Sequence, residues 1–357
     1  MKFFIKIFGC QYNEWDGARL DYLLQKNGLT LSDEKNADII FAIACSVRKS
    51  AVDRLLGKVK NWREEDKKVV ISGCMLPKDK KKIAARGAVF CDVSDFDSLK
   101  ETIINCHSDP LALSKDGGIF VKDPSTSLGM TELLKTDVLP SHYLPIMLGC
   151  NNFCSYCVVP YTKGRERSRD FDKIVEEFKK LVEAGHKEIT LLGQNVNSYE
   201  HDFARLLKIL NDVPGDFQIS FTSNHPKDMN DEIIEAIANL PKVKKEIHLP
   251  LQSGSNKILK AMNRPYTKEK YLKLIEKLKK AVHNIRISTD IIVGFPGETE
   301  KDFLETKDLI KKVGFYWIFA NKYSPREGTA SFKLGDPIPW PEKQRRWREI
   351  DNLVNKK

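Results

Sequence analysis

Three cysteines lie within eight residues near the middle of the 357-residue chain. Cys150, Cys154 and Cys157 have the spacing C-x3-C-x2-C. Thiolates this close together can bind one metal centre, but a structural zinc site needs four protein ligands, and no fourth Cys or His follows at the usual spacing. A four-iron cluster held by only three cysteines keeps one iron open to an outside ligand. The spacing therefore favours an iron–sulfur centre with a free coordination position.

A second group of cysteines is spread over the first quarter of the chain. Cys10, Cys45 and Cys74 each come immediately after one of the first three predicted strands. Because the carboxyl ends of parallel strands share one edge of a sheet, these cysteines can converge although they are far apart in sequence. The alternative is three ordinary buried cysteines, since free Cys is often buried. Cys91 and Cys106 are interpreted as structural.

The elements that must position the N-terminal cysteines alternate between strand and helix. A stripe of Ala51, Leu55, Val59 and Trp62 predicts one helix, and a second begins near Asn13 and stops at Gly28. This alternation predicts an open parallel sheet covered by helices on both faces. The predicted strands are 2–9, 38–43, 68–72 and 88–92, and a further helix is predicted at 96–105.

A second series of strand–helix units begins at Leu144, and Cys150 directly follows its first strand. Six parallel strands with helical crossovers predict a partial (βα)6 barrel or a wide open sheet, with the active site at the carboxyl ends of the strands. The predicted strands are 144–149, 188–194, 217–223, 246–251, 286–293 and 317–323. The predicted helices are 171–184, 201–211, 230–239, 267–281 and 300–313.

Breaks in the pattern predict the domain organisation. Residues 108–135 are rich in Gly, Pro, Ser and Thr and are interpreted as a linker. They separate an N-terminal domain, 1–107, from a core domain, 136–340. Residues 341–357 form a basic terminal helix that is either solvated or faces RNA.

Composition narrows the class of partner. The formal net charge is +10 and the pI about 9.0, which makes a polyanion such as nucleic acid plausible, although a lysine-rich proteome would give the same balance. Eight cysteines are too few and too uneven for a secreted disulfide scaffold, so a reducing compartment is favoured. No stretch is apolar enough to be a signal peptide or a membrane span. We expect a cytoplasmic monomer without membrane contact.

The motifs together resemble a known family. C-x3-C-x2-C after the first strand of a βα series, with Tyr156 just before the last Cys, resembles the radical S-adenosylmethionine (SAM) superfamily. A wider set of motifs runs along the chain in the order GCQYN, ACSVR, SGCM, GCNNFCSYCVVPYTKGRERSR, LLGQNVNSY, HLPLQSGSNKILKAMNR, DIIVGFPGET and YSPREGT. This set resembles the methylthiotransferases, and among them the bacterial tRNA-modifying branch that makes 2-methylthio-N6-(isopentenyl)adenosine.

The resemblance implies two 4Fe–4S clusters and two SAM molecules per turnover. Cys150, Cys154 and Cys157 would hold the cluster whose open iron binds SAM, and the cofactor would supply the radical. Cys10, Cys45 and Cys74 would hold the cluster that carries or donates sulfur. The implied product carries a methylthio group at C2 of the adenosine next to the anticodon. A reductant such as flavodoxin or ferredoxin, a sulfur donor and the tRNA anticodon stem-loop would be partners.

Residues at the strand ends are candidates for contact with SAM. Gly294 and Gly297 would let backbone approach the cofactor, or form a simple tight turn. Tyr156 would pack against the adenine or the cluster, or be a core aromatic. Candidates for hydrogen bonds to ribose and methionyl groups are Gln194, Asn195, Ser223 and Gln252.

Charged residues near the cluster motif have competing interpretations. Arg165, Arg167 and Arg169 would bind the SAM carboxylate or tRNA phosphates, or form surface salt bridges. Glu298 would bind cofactor or cap a helix, since Thr299 and Asp302 have capping-box spacing. His225 and His248 are interpreted as satisfied polar core residues rather than catalysts.

The sequence also departs from the family pattern. This sequence contains no segment corresponding to the family's C-terminal RNA-binding β-barrel, which is predicted to be absent from it; either the sequence is truncated or tRNA docks on the body of the protein. Asn224 stands where Pro is usual, and Tyr12 where Met is usual. Alternative substrates are N6-threonylcarbamoyladenosine in tRNA and an aspartate on a ribosomal protein. A third hypothesis is an RNA adaptor without catalysis that binds zinc or an iron–sulfur cluster.

Overall fold

The chain divides into two compact units. The computed structural model describes residues 1–46, 49–91 and 141–356, with side chains from 51 onward in the second range. One unit is Met1–Tyr143 with Tyr161–Gly164, and the other is Leu144–Pro160 with Arg165–Lys357. The predicted linker, the helix predicted at 96–105 and Cys106 lie outside the described residues, and the predicted domain boundaries stay a prediction.

A five-stranded parallel sheet forms the centre of the N-terminal unit, as the strand–helix alternation predicted. Its order is β2-β1-β3-β4-β5, and each adjacent pair is parallel. The strands are β1 Lys2–Phe8, β2 Thr30–Leu31, β3 Ile39–Cys45, β4 Lys68–Cys74 and β5 Val89–Phe90. The helices are α1 Gln11–Lys26, α2 Lys49–Glu64 and α3 Pro77–Ala84.

The central strand explains why helices cover both faces of the sheet. Every residue of β3 is buried, and its side chains alternate between two apolar clusters. Ile40, Ala42 and Ala44 pack with residues of α2 such as Leu55, whereas Phe41 and its neighbours pack with leucines of α1. A strand that is apolar on both faces must lie between two helical layers. Cys91 is buried in the α1-side cluster, which fits its interpretation as structural.

The second unit contains six main strands in two three-stranded groups. Their orders are β10-β9-β6 and β11-β12-β13, so neighbours follow chain order. The Ile219 N–H donates to the Lys242 carbonyl and the Lys244 N–H donates to the Ile219 carbonyl, which connects β10 to the segment before β11. This arrangement agrees with a (βα)6 partial barrel. The strands are β6 Tyr143–Pro145, β7 Met147–Leu148, β8 Arg167–Ser168, β9 Glu188–Leu192, β10 Gln218–Phe221, β11 Glu246–His248, β12 Arg286–Val293 and β13 Trp317–Lys322.

Most helices of this unit begin at a polar cap. Asp170, Asp202, Asn230, Thr267 and Thr299 each accept a hydrogen bond from the backbone of the following turn. The helices are α4 Val159–Thr162, α5 Phe171–Glu183, α6 Phe203–Asn211, α7 Asp231–Asn239, α8 Asn256–Ala261, α9 Lys268–Ala281, α10 Glu300–Val313 and α11 Trp340–Val354. Within the part of the chain that the structure describes, no helix has the length and apolar character needed to cross a membrane.

Candidate active site

The three N-terminal cysteines lie at adjacent strand ends. Cys45 and Cys74 are the last residues of β3 and β4 and are directly paired in the ladder. Their placement after the strands was therefore wrong by one or two residues, because the ladder continues through the cysteines. Cys10 follows the neighbouring β1 and is the N-cap of α1. The Cys45 side chain hydrogen-bonds both Cys10 and Cys74, so the structure brings the three sulfurs together.

Hydrogen bonding divides the N-terminal cysteines into two acceptors and one donor. The bond from Cys45 is the largest cause that lowers the pKa of Cys10 to about 5, and backbone N–H groups of Asn13 and Tyr12 contribute. The same contact lowers the pKa of Cys74. The pKa of Cys45 is raised because its proton lies between the two other sulfurs. Metal ions could replace that proton and bind all three cysteines as thiolates.

Two glycines make room for this arrangement. A Cβ at Gly9 would lie 1.9 Å from Oδ1 of Asn13, whose oxygen accepts from the Cys10 N–H at 3.4 Å. A Cβ at Gly73 would lie 2.3 Å from the carbonyl oxygen of Ala44, and Gly73 has a φ of 105°. Each glycine directly precedes a cysteine, and a larger residue there would clash with its neighbours. This steric limit explains why Gly precedes Cys in the GCQYN and SGCM motifs.

The C-x3-C-x2-C cysteines are also close together, in a loop after β7. The Cys157 N–H donates to the Cys154 carbonyl at 2.9 Å, which closes a turn. Burial raises the pKa of Cys150, and burial with the neighbouring Cys154 raises the pKa of Cys157 to about 12. Backbone and side-chain N–H groups of Asn152 approach the Cys150 sulfur at 3.5 Å. Three thiolates there need cationic partners, which the irons of a cluster would provide.

The last residue of α8 and the segment after it hold this loop in place. Ser155 donates its side-chain hydroxyl to the Ala261 carbonyl at 2.8 Å, and Asn263 donates to the Phe153 carbonyl at 3.0 Å. The buried Arg264 donates from Nη1 to the Cys154 sulfur at 3.3 Å. Sequence reasoning noted the AMNR motif but gave Arg264 no role. No sequence signal joins Arg264 to a cysteine 110 residues away.

Arg264 is itself fixed by the ends of neighbouring elements. Its Nη2 donates to the Pro250 carbonyl at 3.0 Å, and its Nε donates to the Tyr266 hydroxyl oxygen at 2.8 Å. The Tyr266 hydroxyl in turn lies 3.0 Å from the Pro250 carbonyl. A guanidinium held at these points presents a permanent positive charge to the Cys154 sulfur.

Two of the predicted SAM contacts carry buried oxygens that lack a partner among the described residues. They are Oδ1 of Asn195 and Oε1 of Gln252. Asn195 uses its Nδ2 to donate to Asp228 at 2.7 Å, and the backbone of Gln252 continues a parallel bridge to β12. Buried acceptors without donors are costly. A ligand with ammonium or hydroxyl donors would satisfy them, so these residues fit SAM.

Backbone strain marks the same strand ends. Ser223 and Gln252 have φ values of 64° and 70°, a region that non-glycine residues seldom adopt. Strain of this kind persists where the surrounding structure enforces it and is common at ligand sites. Ser223 lies two residues after the end of β10 and is partly exposed, so its hydroxyl remains a candidate contact.

Gln194 and the two predicted glycines have specific structural tasks. The Gln194 side chain accepts from the Gly149 N–H at 2.6 Å and thereby fixes the residue before Cys150. Gly294 has a φ of 73°, and a Cβ there would lie 2.5 Å from Lys343, which fills the adjacent space. Gly297 has a φ of 84° and open space where a Cβ would stand. Open space makes Gly297 the better candidate for close approach of a ligand.

Glu298 helps to shape the loop that contains these glycines. Its Oε2 accepts from the Gly294 N–H at 2.6 Å and from Nη1 of Arg346 at 2.7 Å. Burial raises the pKa of Glu298, and these two contacts oppose that rise. The capping box predicted for Thr299 and Asp302 is present at the start of α10. Glu298 therefore belongs to the support of the loop.

The arginines near the cluster motif differ in exposure. Arg169 is buried, pairs with Glu177 and donates to the Pro145 carbonyl, so its predicted role as a ligand for SAM or phosphate is wrong. Arg165 lies 4.3 Å from the ring centroid of Phe153. Arg167 is exposed on β8, where it is paired with Leu148, and remains a candidate for an anionic ligand.

Tyr156 packs against an apolar cluster. The cluster contains Ile258, Met262, Phe295 and Tyr323. Burial raises the pKa of Tyr156 well above the ordinary value of tyrosine, so its hydroxyl stays protonated. The surroundings of Tyr156 favour the core interpretation over contact with SAM.

The two histidines behave differently. His248 bonds Ser288 at 3.0 Å and Asp290 at 2.9 Å, which fits the interpretation as a satisfied residue. His225 accepts from the Lys227 N–H at Nδ1, but its buried Nε2 has no partner among the described residues. The satisfied interpretation is therefore wrong for His225. Burial lowers the pKa of His225 to about 2, so its ring is neutral and Nε2 carries a proton.

The cysteine sets fit clusters better than single ions. Across 1–46, 49–91 and 141–356, no group of three or more Cys, His, Asp or Glu side chains is arranged to hold one metal ion. A cubane cluster has another geometry, since each thiolate binds a different iron. Sulfurs next to N–H donors and a buried guanidinium suit such a cluster, whose potential depends on those contacts.

Comparisons with known proteins assign the class and then the family. A model of the Radical SAM superfamily matches residues 144–310, and one described as Uncharacterized protein family UPF0004 matches 2–92. A tRNA-2-methylthio-N(6)-dimethylallyladenosine synthase of Clostridium botulinum is 41% identical over 380 residues, which cover 99% of this chain and 81% of the relative. A synthase of the same name from Thermotoga petrophila is 40% identical over 378 residues, which cover 100% of this chain and 83% of the relative. The chain therefore belongs to the radical SAM methylthiotransferase family that these synthases represent.

Solved structures agree on the fold. The radical S-adenosylmethionine methyltransferase TsrM from Kitasatospora setae aligns with a TM-score of 0.67 at 14% identity, covering 93% of this chain and 77% of TsrM. The cobalamin-dependent S-adenosylmethionine radical enzyme OxsB aligns with a TM-score of 0.61 at 12% identity, covering 100% of this chain and 55% of OxsB. At such identities the likeness concerns the fold alone. The resemblance drawn from the motifs is confirmed by the curated relatives, and the chain is a methylthiotransferase enzyme.

Proposed function

We propose that this enzyme places a methylthio group at C2 of N6-(isopentenyl)adenosine next to the anticodon of tRNA. The observation that carries the proposal is 40–41% identity to the synthases named above over 99–100% of the chain. The two separate cysteine sets support it, because sulfur insertion at an unactivated carbon needs both a radical source and a sulfur carrier.

Each cysteine set has a proposed task. Cys150, Cys154 and Cys157 hold the 4Fe–4S cluster that binds SAM, and Cys10, Cys45 and Cys74 hold a second 4Fe–4S cluster. When bound, the first cluster and SAM supply a carbon-centred radical, and the second cluster supplies sulfur. The proposal requires two SAM molecules per turnover, of which one would supply the methyl group and the other the radical.

The protein's own residues orient the ligand. The oxygens of Asn195 and Gln252, which have no partner among the described residues, would accept hydrogen bonds from donors on SAM. Gln194 fixes the backbone that precedes Cys150, and Arg264 places a positive charge on the Cys154 sulfur. The neutral His225 offers Nε2–H as a donor. Preorganised groups of this kind keep the reacting atoms in place and exclude water.

Mass spectrometry of tRNA nucleosides tests the substrate. A bacterial host without its own enzyme should accumulate 2-methylthio-N6-(isopentenyl)adenosine when it expresses this chain. Cys154→Ala and Cys74→Ala should each abolish the product. A methylthio group found instead on threonylcarbamoyladenosine or on a ribosomal aspartate would move the chain to another branch of the family. Absence of every methylthio product would contradict the proposal.

Metal analysis tests the cofactors separately. The anaerobically reconstituted protein should contain about eight irons with matching sulfide, which corresponds to two 4Fe–4S clusters. Replacing all three cysteines of one set with Ala should leave about four irons. Two zincs without sulfide would favour a non-catalytic adaptor. The physiological reductant, such as flavodoxin or ferredoxin, and the sulfur donor are further partners that this proposal requires.

A further inference from the structure

A short segment next to the SAM-cluster motif belongs to the N-terminal unit. Tyr161–Gly164 follow Cys157 by only four residues, yet they pack with the N-terminal sheet and its helices. Within this segment, Lys163 reaches the N-terminal cysteines and donates a hydrogen bond to the Cys74 sulfur. The left-handed conformation of Gly164, with a φ of 77°, ends the segment.

An aromatic ring holds the Lys163 ammonium in this position. Nζ lies 3.6 Å from the ring centroid of the buried Tyr12, in the first turn of α1. Asp16, one turn further along α1, adds an attractive charge. A cation over an aromatic face is attracted by the ring quadrupole, and more strongly when water is partly excluded. Tyr12 therefore directs the ammonium toward the sulfur.

The charge of Lys163 acts on two of the three sulfurs. It contributes electrostatically at both Cys10 and Cys74. Reduction adds one electron to a cluster that already carries negative thiolates, so a nearby cation favours the reduced form. Hydrogen bonds to ligand sulfurs act in the same direction.

We propose that Lys163 is a positioning residue of the second cluster, held by Tyr12 against the Cys74 sulfur so that it raises the reduction potential of that cluster. The inference rests on the proposed function, since it requires a cluster at Cys10, Cys45 and Cys74. It adds to the second cluster a residue that is not a cysteine and that lies 89 positions after Cys74 in the chain. It also gives the stretch VVPYTKGR, which follows the SAM-cluster cysteines in the sequence, a task in the N-terminal unit.

A protein with only the second cluster gives the cleanest test. The full chain carrying Cys150→Ala, Cys154→Ala and Cys157→Ala is reconstituted anaerobically, and iron, sulfide and the midpoint potential are measured by a redox titration followed by electron paramagnetic resonance. This background should bind about four irons. Failure to bind them would remove the second cluster, and with it the inference, before any Lys163 variant is made.

Three variants in this background then decide the role of Lys163. Lys163→Met should keep its iron and show a tenfold smaller reduced-to-oxidised ratio at fixed potential, which equals a downward shift of about 59 mV. Lys163→Arg should keep the parent potential. Lys80→Met is the matched control, because Lys80 also lies over a ring of this unit, that of Phe90 at 3.8 Å. Lys80→Met should leave the iron content and the midpoint potential unchanged.

Other outcomes are equally decisive. An unchanged potential in Lys163→Met would overturn the inference. If Lys163→Met binds no iron, Tyr12→Leu and Tyr12→Phe replace it as the test. Tyr12→Leu should lower the potential because the ammonium is no longer held, whereas Tyr12→Phe keeps the ring and the potential. Equal potentials in those two variants would assign Lys163 a purely structural role and overturn the inference.

Discussion

The buried Glu298–Arg346 ion pair connects the loop after β12 to helix α11. Both residues are about 5% exposed, and the carboxylate also accepts from the Gly294 N–H. Arg346→Met would leave Glu298 buried with only that N–H as a partner. Breaking a buried pair from one side costs about 3–5 kcal/mol. We expect the loop at Gly294–Gly297 to open far more often in this variant.

Hydrogen exchange measures that opening directly. A cost of about 3 kcal/mol corresponds to about 100-fold faster exchange, since 1.4 kcal/mol is a factor of ten. Peptides that span residues 291–299 are followed by mass spectrometry in the cluster-loaded protein. Arg345→Met is the matched control on the same helix. Its ion pairs with Glu300, Glu342 and Glu349 are more exposed, so it should change exchange by less than about fivefold.

A double-mutant cycle and pH separate the ion pair from simple loss of packing. Glu298→Gln with Arg346→Met should recover about 2 kcal/mol, because no buried charge is left unpaired. The Arg346→Met penalty should also be smaller at pH 6 than at pH 8. Burial already raises the pKa of Glu298, and a group with a raised folded pKa stabilises the folded protein as pH falls. The reasoning is refuted if Arg346→Met speeds exchange no more than Arg345→Met.

Three further predictions concern single groups. Because the folded pKa of His225 is about 2, stability is lost as pH falls through 6.5, by about 1.4 kcal/mol at pH 5.5. Urea unfolding at pH 7.5 and 5.5 should show that His225→Gln removes this part of the loss. Arg264→Met should lower the potential of the cluster at Cys154 but not that of the second cluster, as redox titration of each single-cluster background would show. Gly73→Ala should prevent iron binding at the N-terminal cysteines, because its methyl would meet Ala44 at 2.3 Å. Full iron content in Gly73→Ala would contradict the steric argument.

The spacing of apolar residues along the chain, and the residues that follow each predicted strand, predicted most of the architecture. β12 and α10 have the predicted bounds, 286–293 and 300–313. Their apolar patterns are long enough to show a period. The two-residue strands β2 and β8 and the short helices α4 and α8 were missed, because elements that short have no period to detect. The basic terminal helix was predicted as α11, but the inward direction of Lys343 and Arg346 depends on the loop after β12.

The candidate site was predictable only where chemistry is local. The three cysteines of C-x3-C-x2-C are adjacent in the chain, and strand-end placement brought Cys10, Cys45 and Cys74 together. The left-handed backbone of Gln252 could not be predicted from the sequence, because Gln is not a residue type that favours positive φ. The sequence marked Asn195 and Gln252 only as polar residues at strand ends. The structure adds that their side-chain oxygens are buried and have no hydrogen-bond partner among the described residues.

The two cysteine sets share a feature that cannot be read from the spacing of the cysteines. In each set one sulfur accepts a hydrogen bond from a cation that is distant in sequence, Arg264 at Cys154 and Lys163 at Cys74. The thiolates decide that a cluster binds, whereas nearby charge decides how readily it accepts an electron. The two functions can therefore vary independently. A chain could keep all six cysteines, bind both clusters and still have an altered reduction potential at one of them after a substitution at Arg264 or Lys163.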